Sequence, residues 1–196
     1  IDLEKSNPIK VALVQHNFPI SVEWRNIHRK EVLETYEQSI REAGPSHDLV
    51  LFPQYGLPID VLREPEWLKR LARENNTAVL LGTYIPKVPG GSLDQGARFD
   101  TALLFSPPEK RGQAPKVPVP FLVQEYRAVT PPPFRRIGQV LGTKREPLTL
   151  NGVKIGAMLC YEDTRLEEAR AWVKNGAEIL AALSNPGHFL GTPLPR

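Results

Sequence analysis

Cys160 is the residue in this chain best placed to do chemistry. It follows a short apolar run, Val153-Lys154-Ile155-Gly156-Ala157-Met158-Leu159, and Tyr161, Glu162 and Asp163 come directly after it. It is the only cysteine in 196 residues, so no internal disulfide can form. A stiff strand, a turn and then a helix whose N-terminal dipole favours the thiolate is how an exposed thiol nucleophile is commonly mounted. The competing reading is a buried structural cysteine, since free cysteine is among the most buried residue types. The acidic and polar triplet after Cys160 favours the first.

The elements that would position this thiol can be read from periodicity. Ile9 to Val14, Asp48 to Phe52, Thr77 to Tyr84, Phe99 to Phe105, Lys154 to Leu159 and Glu178 to Leu183 read as apolar strands. Trp24 to Ala43 reads as an amphipathic helix, with Ile27, Val32, Leu33, Tyr36 and Ile40 at near-helical spacing and Gly44-Pro45 as its stop. Glu66 to Asn75 is a second helix. A third runs to about Lys174, with Thr164 and Glu167 spaced as a capping box and Asn175-Gly176 at its end. Alternating strands and helices give the class α/β. The candidate functional groups fall just after strand C-termini, where open α/β sheets usually build their sites.

Composition narrows the function classes. Hydrophobic residues make up 41% and charged residues 24%, which are globular values and suit one domain spanning 1–196. The net charge of +3 is spread over small groups such as Lys110-Arg111, Arg135-Arg136 and Lys144-Arg145. No basic run is interleaved with aromatics, which argues against nucleic-acid binding. A mildly basic surface is still compatible with an anionic bilayer. No stretch approaches the roughly 20 apolar residues of a membrane-spanning helix, and no signal peptide is present. The chain starts at Ile1 rather than Met, as expected of a processed product or part of something larger. The chain has twenty prolines, and eight of them fall between Pro107 and Pro133, which predicts long stiff loops around a core there.

Four stretches carry a family resemblance. They are Val11 to Asn17; Asp48 to Gln54; Val119-Pro120-Phe121 followed by Glu125-Tyr126; and Gly156 to Glu162 followed by Leu183-Ser184-Asn185 and Gly187 to Gly191. Together they resemble the carbon–nitrogen hydrolase (nitrilase) superfamily, and within it the nitrilase-like domain of the apolipoprotein N-acyltransferase branch. The resemblance implies an αββα sandwich that often pairs into a four-layer assembly, and hence a homo-oligomer. It also implies a Glu-Lys-Cys catalytic set. In that set the thiolate attacks an acyl carbonyl, Glu shuttles protons, and Lys with backbone amides holds the oxyanion. It carries Cys160 over as nucleophile, Glu162 as the supporting acid beside it, and Glu125, Tyr161, His188 and Phe189 as substrate contacts. For the acyltransferase branch it implies a phospholipid acyl donor, the amine of a lipoprotein as acceptor, and membrane association at the outer face of a bacterial inner membrane. A soluble amidase would instead be cytoplasmic.

Two departures from the family pattern matter. The position of the proton-shuttling Glu holds Gln54, and an amide is neither acid nor base near neutral pH. The family's Lys position falls on Pro115, which leaves Lys116, displaced by one residue, as the candidate. A Gln54 site predicts impaired or altered catalysis. It keeps open a non-catalytic homologue that binds lipid, lipoprotein or protein. A small-molecule amidase is the third reading. The chain also ends at Arg196, where the resemblance leads one to expect further elements of the sandwich. His16 reads as structural or a pocket wall, and His28 and His47 as surface. Four scattered histidines and one cysteine match no metal-site spacing, and no cofactor is implied.

Overall fold

The computed structural model describes residues 8–19, 21–54, 56–57, 61–62, 64–88, 97–107, 122–131 and 138–185. Two sheets carry the fold among them. Sheet A joins β1 (Val11–Leu13), β2 (Leu49–Gln54), β3 (Ala78–Pro86), β4 (Arg98–Ser106) and β5 (Leu122–Arg127) in sequence order, with β6 (Gln139–Val140) on β4. Sheet B joins β7 (Leu148–Leu150), β8 (Val153–Leu159) and β9 (Ile179–Leu183). β1, β2 and β3 are parallel, as are β8 and β9.

Strict alternation in sheet A builds a core on each of its faces. Val50, Phe52, Val79, Leu81, Leu103 and Phe105 join Val32, Tyr36 and Ile40 of α2 (Arg29–Ala43) and Leu68, Leu71 and Ala72 of α3 (Pro65–Glu74). Leu49, Ala78, Leu80, Ala102 and Leu104 face the other way and join Ile155, Ala157 and Leu159 of β8. Doubly buried parallel strands read as continuous apolar runs, which is why β2 and β3 stand out in the sequence. α4 (Leu166–Lys174) packs on sheet B and lays Trp172 where a side chain on Gly156 would sit, within 3.0 Å. The layers are those of the expected αββα sandwich.

Three expectations need correction. The first helix is two: α1 (Val22–Ile27) and α2 meet at His28, which lies outside helical geometry. The proline-rich stretch is not all loop, because β5 pairs with β4 through Ser106↔Leu122 to Thr101↔Arg127. Gln124 of β5 also reaches sheet B, exchanging hydrogen bonds of 2.7 and 2.8 Å with the backbone of Thr149. Thr164 does not cap α4. Its hydroxyl donates to the carbonyl of Tyr161, and Arg165 stands at the cap position.

Candidate active site

β8 ends in a bend whose first residue, Cys160, lies just past the strand. Cys160 has φ +52, the left-handed region that costs a non-glycine residue of order 1–3 kcal/mol and persists only where the surroundings enforce it. It opens a tight 3₁₀ turn, Cys160–Thr164, and is partly exposed. This turn separates the thiol from α4, which starts only at Leu166. The helix-dipole contribution expected from the sequence is therefore not aimed at Cys160.

Three strand ends meet here. The Ser184 hydroxyl, just past β9, donates to the Asp163 carboxylate and lies 3.2 Å from the carbonyl oxygen of Cys160. The next residue, Asn185, donates from Nδ2 to the carbonyl of Gln54 at 3.0 Å. Consecutive residues of one loop thus tie the end of β2 to the end of β8.

Gln54 reaches this face through a bulge. The β2–β3 register runs Leu51↔Leu80 and Phe52↔Leu81, then shifts to Gln54↔Gly82. Proline cannot donate to a ladder, so Pro53 is skipped and Gln54 lands on the face of Leu80, the face toward sheet B. Gln54 is fully buried. A Cβ at Gly82 would stand 2.8–2.9 Å from its Cα, Cβ and Cγ. Gly82→Ala is expected to displace Gln54 and cost about 1–3 kcal/mol of stability, measured by denaturant unfolding. An unchanged midpoint would show that the bulge does not need this close approach.

Glu162 is fully buried and does not project toward solvent beside the thiol. Its Oε1 accepts from the Tyr126 hydroxyl (2.8 Å), Val129 N–H (2.9 Å) and Thr130 N–H (3.2 Å), and its Oε2 accepts from Leu159 N–H at 3.1 Å. Burial pushes its carboxyl above the ordinary value, and the four donors pull the other way. Burial and the Glu162 charge push the Tyr126 phenol up, so it stays a donor. A second buried carboxylate, Glu168, accepts from Arg145 Nε and Nη2 at 2.8 and 2.9 Å and from the Thr130 hydroxyl. Burial alone would raise Glu168, but the Arg145 guanidinium and the Thr130 hydroxyl outweigh it and hold it below its ordinary 4.5. A depressed carboxyl adds stability that is fully present above 4.5 and lost as pH falls through the lower folded value. Acid titration of the melting temperature is expected to show that loss and Glu168→Gln to lack it. An identical acid limb in both would assign it to another group.

A narrow crevice beside the thiol is lined by Asp100, Ala128, Thr130, Gln139, Leu159, Cys160 and Tyr161. Asp100 is 2% exposed and accepts from Gln139 Nε2 at 3.2 Å. Sequence reasoning did not single it out, although it is an acid inside an otherwise apolar strand. Tyr161 lines this crevice beside Cys160. Glu125 does not: it lies on the opposite face of β5 from Tyr126 and pairs with Arg127. The strand register that buries Tyr126 turns Glu125 outward. His16 packs on the helix side against Phe18, Tyr36 and Phe52, and its Nε2 lies 2.9 Å from the Ser39 hydroxyl. His28 and His47 are half-buried, each with a ring nitrogen against a backbone carbonyl. Lys116, His188 and Phe189 lie outside the described residues. Among the described residues no cluster could hold a metal ion, and no helix is long and apolar enough to cross a membrane.

Known proteins resemble this chain in sequence and in fold. The chain is 29% identical over 95% of its length to the apolipoprotein N-acyltransferase of Geobacter metallireducens, and 27% identical over 92% to that of Photobacterium profundum. It spans 37% of the length of each. The carbon–nitrogen hydrolase of Helicobacter pylori G27 superposes with a TM-score of 0.65 at 19% identity, covering 90% of this chain and 59% of that one. A Glu-to-Gln variant of the Nesterenkonia sp. AN1 amidase, with covalent addition of the acetamide moiety of fluoroacetamide at its active-site cysteine, superposes with a TM-score of 0.64 at 21% identity, covering 90% and 64%. The carbon–nitrogen hydrolase family matches residues 10–195, and the chain belongs to that family.

Proposed function

We propose that this domain transfers an acyl group through a thioester on Cys160 to an amine, slowly because Gln54 stands at the proton-shuttling position. The carrying observation is the left-handed elbow at Cys160, tied through Ser184 and Asn185 to the end of β2. In the first step the sulfur bonds to the carbonyl carbon of an ester, the ester C–O bond breaks, and the thiol proton leaves with the alcohol. In the second, an amine nitrogen bonds to that carbon, the C–S bond breaks, and the amine gives up a proton that returns to the sulfur as the thiol. The acyltransferase relatives favour a phospholipid as donor and a lipoprotein amine as acceptor. Lys116 remains the proposed cation for the oxyanion, with His188 and Phe189 as substrate contacts. The Nesterenkonia variant supports a reactive thiol in this fold beside a Glu-to-Gln change.

A second reading is a homologue that binds lipid, lipoprotein or protein without turnover. It is favoured by the burial of Gln54 and by the acidic groups Asp100, Asp163, Glu162 and Glu168 around the elbow, which disfavour a thiolate. Intact mass after incubation with an activated acyl ester, and separately with phospholipid vesicles, tests the first reading against Cys160→Ala. An adduct that needs Cys160 supports acyl transfer. No adduct from either donor supports the binding homologue. Hydrolysis of soluble amides without lipid would move the assignment to an amidase.

A further inference from the structure

Thr130 stands between two buried carboxylates, giving its N–H to Glu162 and its hydroxyl to Glu168. Glu162 also takes the N–H of Leu159, the residue before Cys160, so this network reaches the elbow. Among the described residues, Arg145 is the one cation in ion-pair contact with either carboxylate. Its guanidinium grips both oxygens of Glu168, and Nη2 lies 3.4 Å from the Thr130 hydroxyl. Arg145 is itself anchored, because Asn175 Nδ2 donates to its carbonyl at 2.8 Å. Thr130 lines the crevice that Cys160 opens into.

We propose that Arg145 is a positioning residue for the Cys160 thiol, acting through Glu168 and Thr130. The proposal rests on the reading of Cys160 as the reacting group. Arg145 does two things from a distance. It keeps Glu168 in place, which fixes the Thr130 side of the crevice and, through the Thr130 N–H, one of the four bonds to Glu162. It also offsets one of the two negative charges beneath the elbow, and like charge opposes thiolate formation. The other charged or titratable groups that face the elbow are Asp100 from β4, Tyr126 from β5, and Tyr161, Asp163 and Arg165 from the turn and its end. Without Arg145, Glu168 keeps a single hydroxyl donor while remaining buried. Left ionised, it is an uncompensated negative charge near the thiol; turned outward, it gives up its hold on Thr130, and the left-handed Cys160 backbone has less to enforce it.

The test is the rate of Cys160 alkylation by iodoacetamide from acid to alkaline pH, with melting temperatures, in the parent, Arg145→Met, Arg145→Lys and Thr130→Val. Arg145→Met is expected to slow alkylation at neutral pH by about tenfold, corresponding to a midpoint about one pH unit higher. Arg145→Lys restores the charge but not the two-pronged grip, so it should fall between Met and the parent. An Arg145→Met protein that melts lower yet keeps the parent's midpoint and neutral-pH rate would overturn the proposal and leave a purely structural ion pair. Where Arg145→Met does not fold, Thr130→Val decides. It cuts the link to Glu168 and keeps the N–H to Glu162, so a slowed profile supports the proposal and a parental one overturns it. A parent whose Cys160 is unreactive when folded but alkylated when unfolded would sink the nucleophile reading, and this proposal with it.

Discussion

Gln54→Glu is expected to accelerate acylation of Cys160 by ~10²–10⁴-fold, the usual contribution of a positioned general base. The substitution changes one atom of a side chain whose backbone is already fixed. The Pro53 bulge puts residue 54 on the face toward sheet B, Gly82 leaves it room, and Asn185 holds its carbonyl at 3.0 Å. Glutamate therefore inherits the geometry. The site is fully buried, so desolvation would lift a carboxyl there above its ordinary range and bring it toward the pH at which a base is most useful. The same burial costs stability, so the melting temperature is measured alongside the rate of the Cys160-dependent mass shift. An unchanged rate in a folded Gln54→Glu protein would mean that residue 54 is not the missing base. The binding reading would then be the better one.

The sequence exposed those parts of the site that lie on single elements. Apolar runs with turn residues behind them marked β2, β3, β8 and β9, and the Cys160 triplet marked the elbow. What it hid are relations between distant segments. Glu162 is within three residues of Cys160, which made it look like a partner of the thiol. Its oxygens in fact go to Tyr126, Val129 and Thr130, more than 30 residues away, as well as to Leu159. Prolines masked β5, because an edge strand can begin soon after a proline-rich segment without losing ladder bonds. Glu125, expected as a substrate contact from the resemblance alone, is turned outward because β5 buries Tyr126 on its other face. Arg145 read as part of a small scattered basic group and Glu168 drew no reading, because local pattern does not report burial by the 128–130 segment.

Glu162→Gln is expected to destabilise the fold by about 2–4 kcal/mol, from a lost charge-assisted acceptor and one stranded donor. The two oxygens of Glu162 have no slack. Three of the four groups around them are backbone N–H donors and the fourth, the Tyr126 hydroxyl, donates here, so the site is shaped for a carboxylate. An amide can place its oxygen against Tyr126, Val129 and Thr130, but its NH₂ then confronts the buried N–H of Leu159. Flipped, it confronts two N–H groups, Val129 and Thr130, and only the Tyr126 hydroxyl can turn to accept from it. Either way a donor is left buried without an acceptor. For a chain of this length the loss corresponds to a melting temperature lower by roughly 5–15 °C. The site should suffer with the fold, because Leu159 precedes the left-handed Cys160 and Tyr126 belongs to the opposite sheet. One carboxylate thus locks sheet A to sheet B just below the thiol. Glu162→Gln should therefore also slow alkylation of Cys160 at temperatures where the variant is still folded, the loosened elbow outweighing the loss of one like charge. A folded variant with parental stability and thiol reactivity would refute the brace and return Glu162 to the role of a local acid beside the nucleophile.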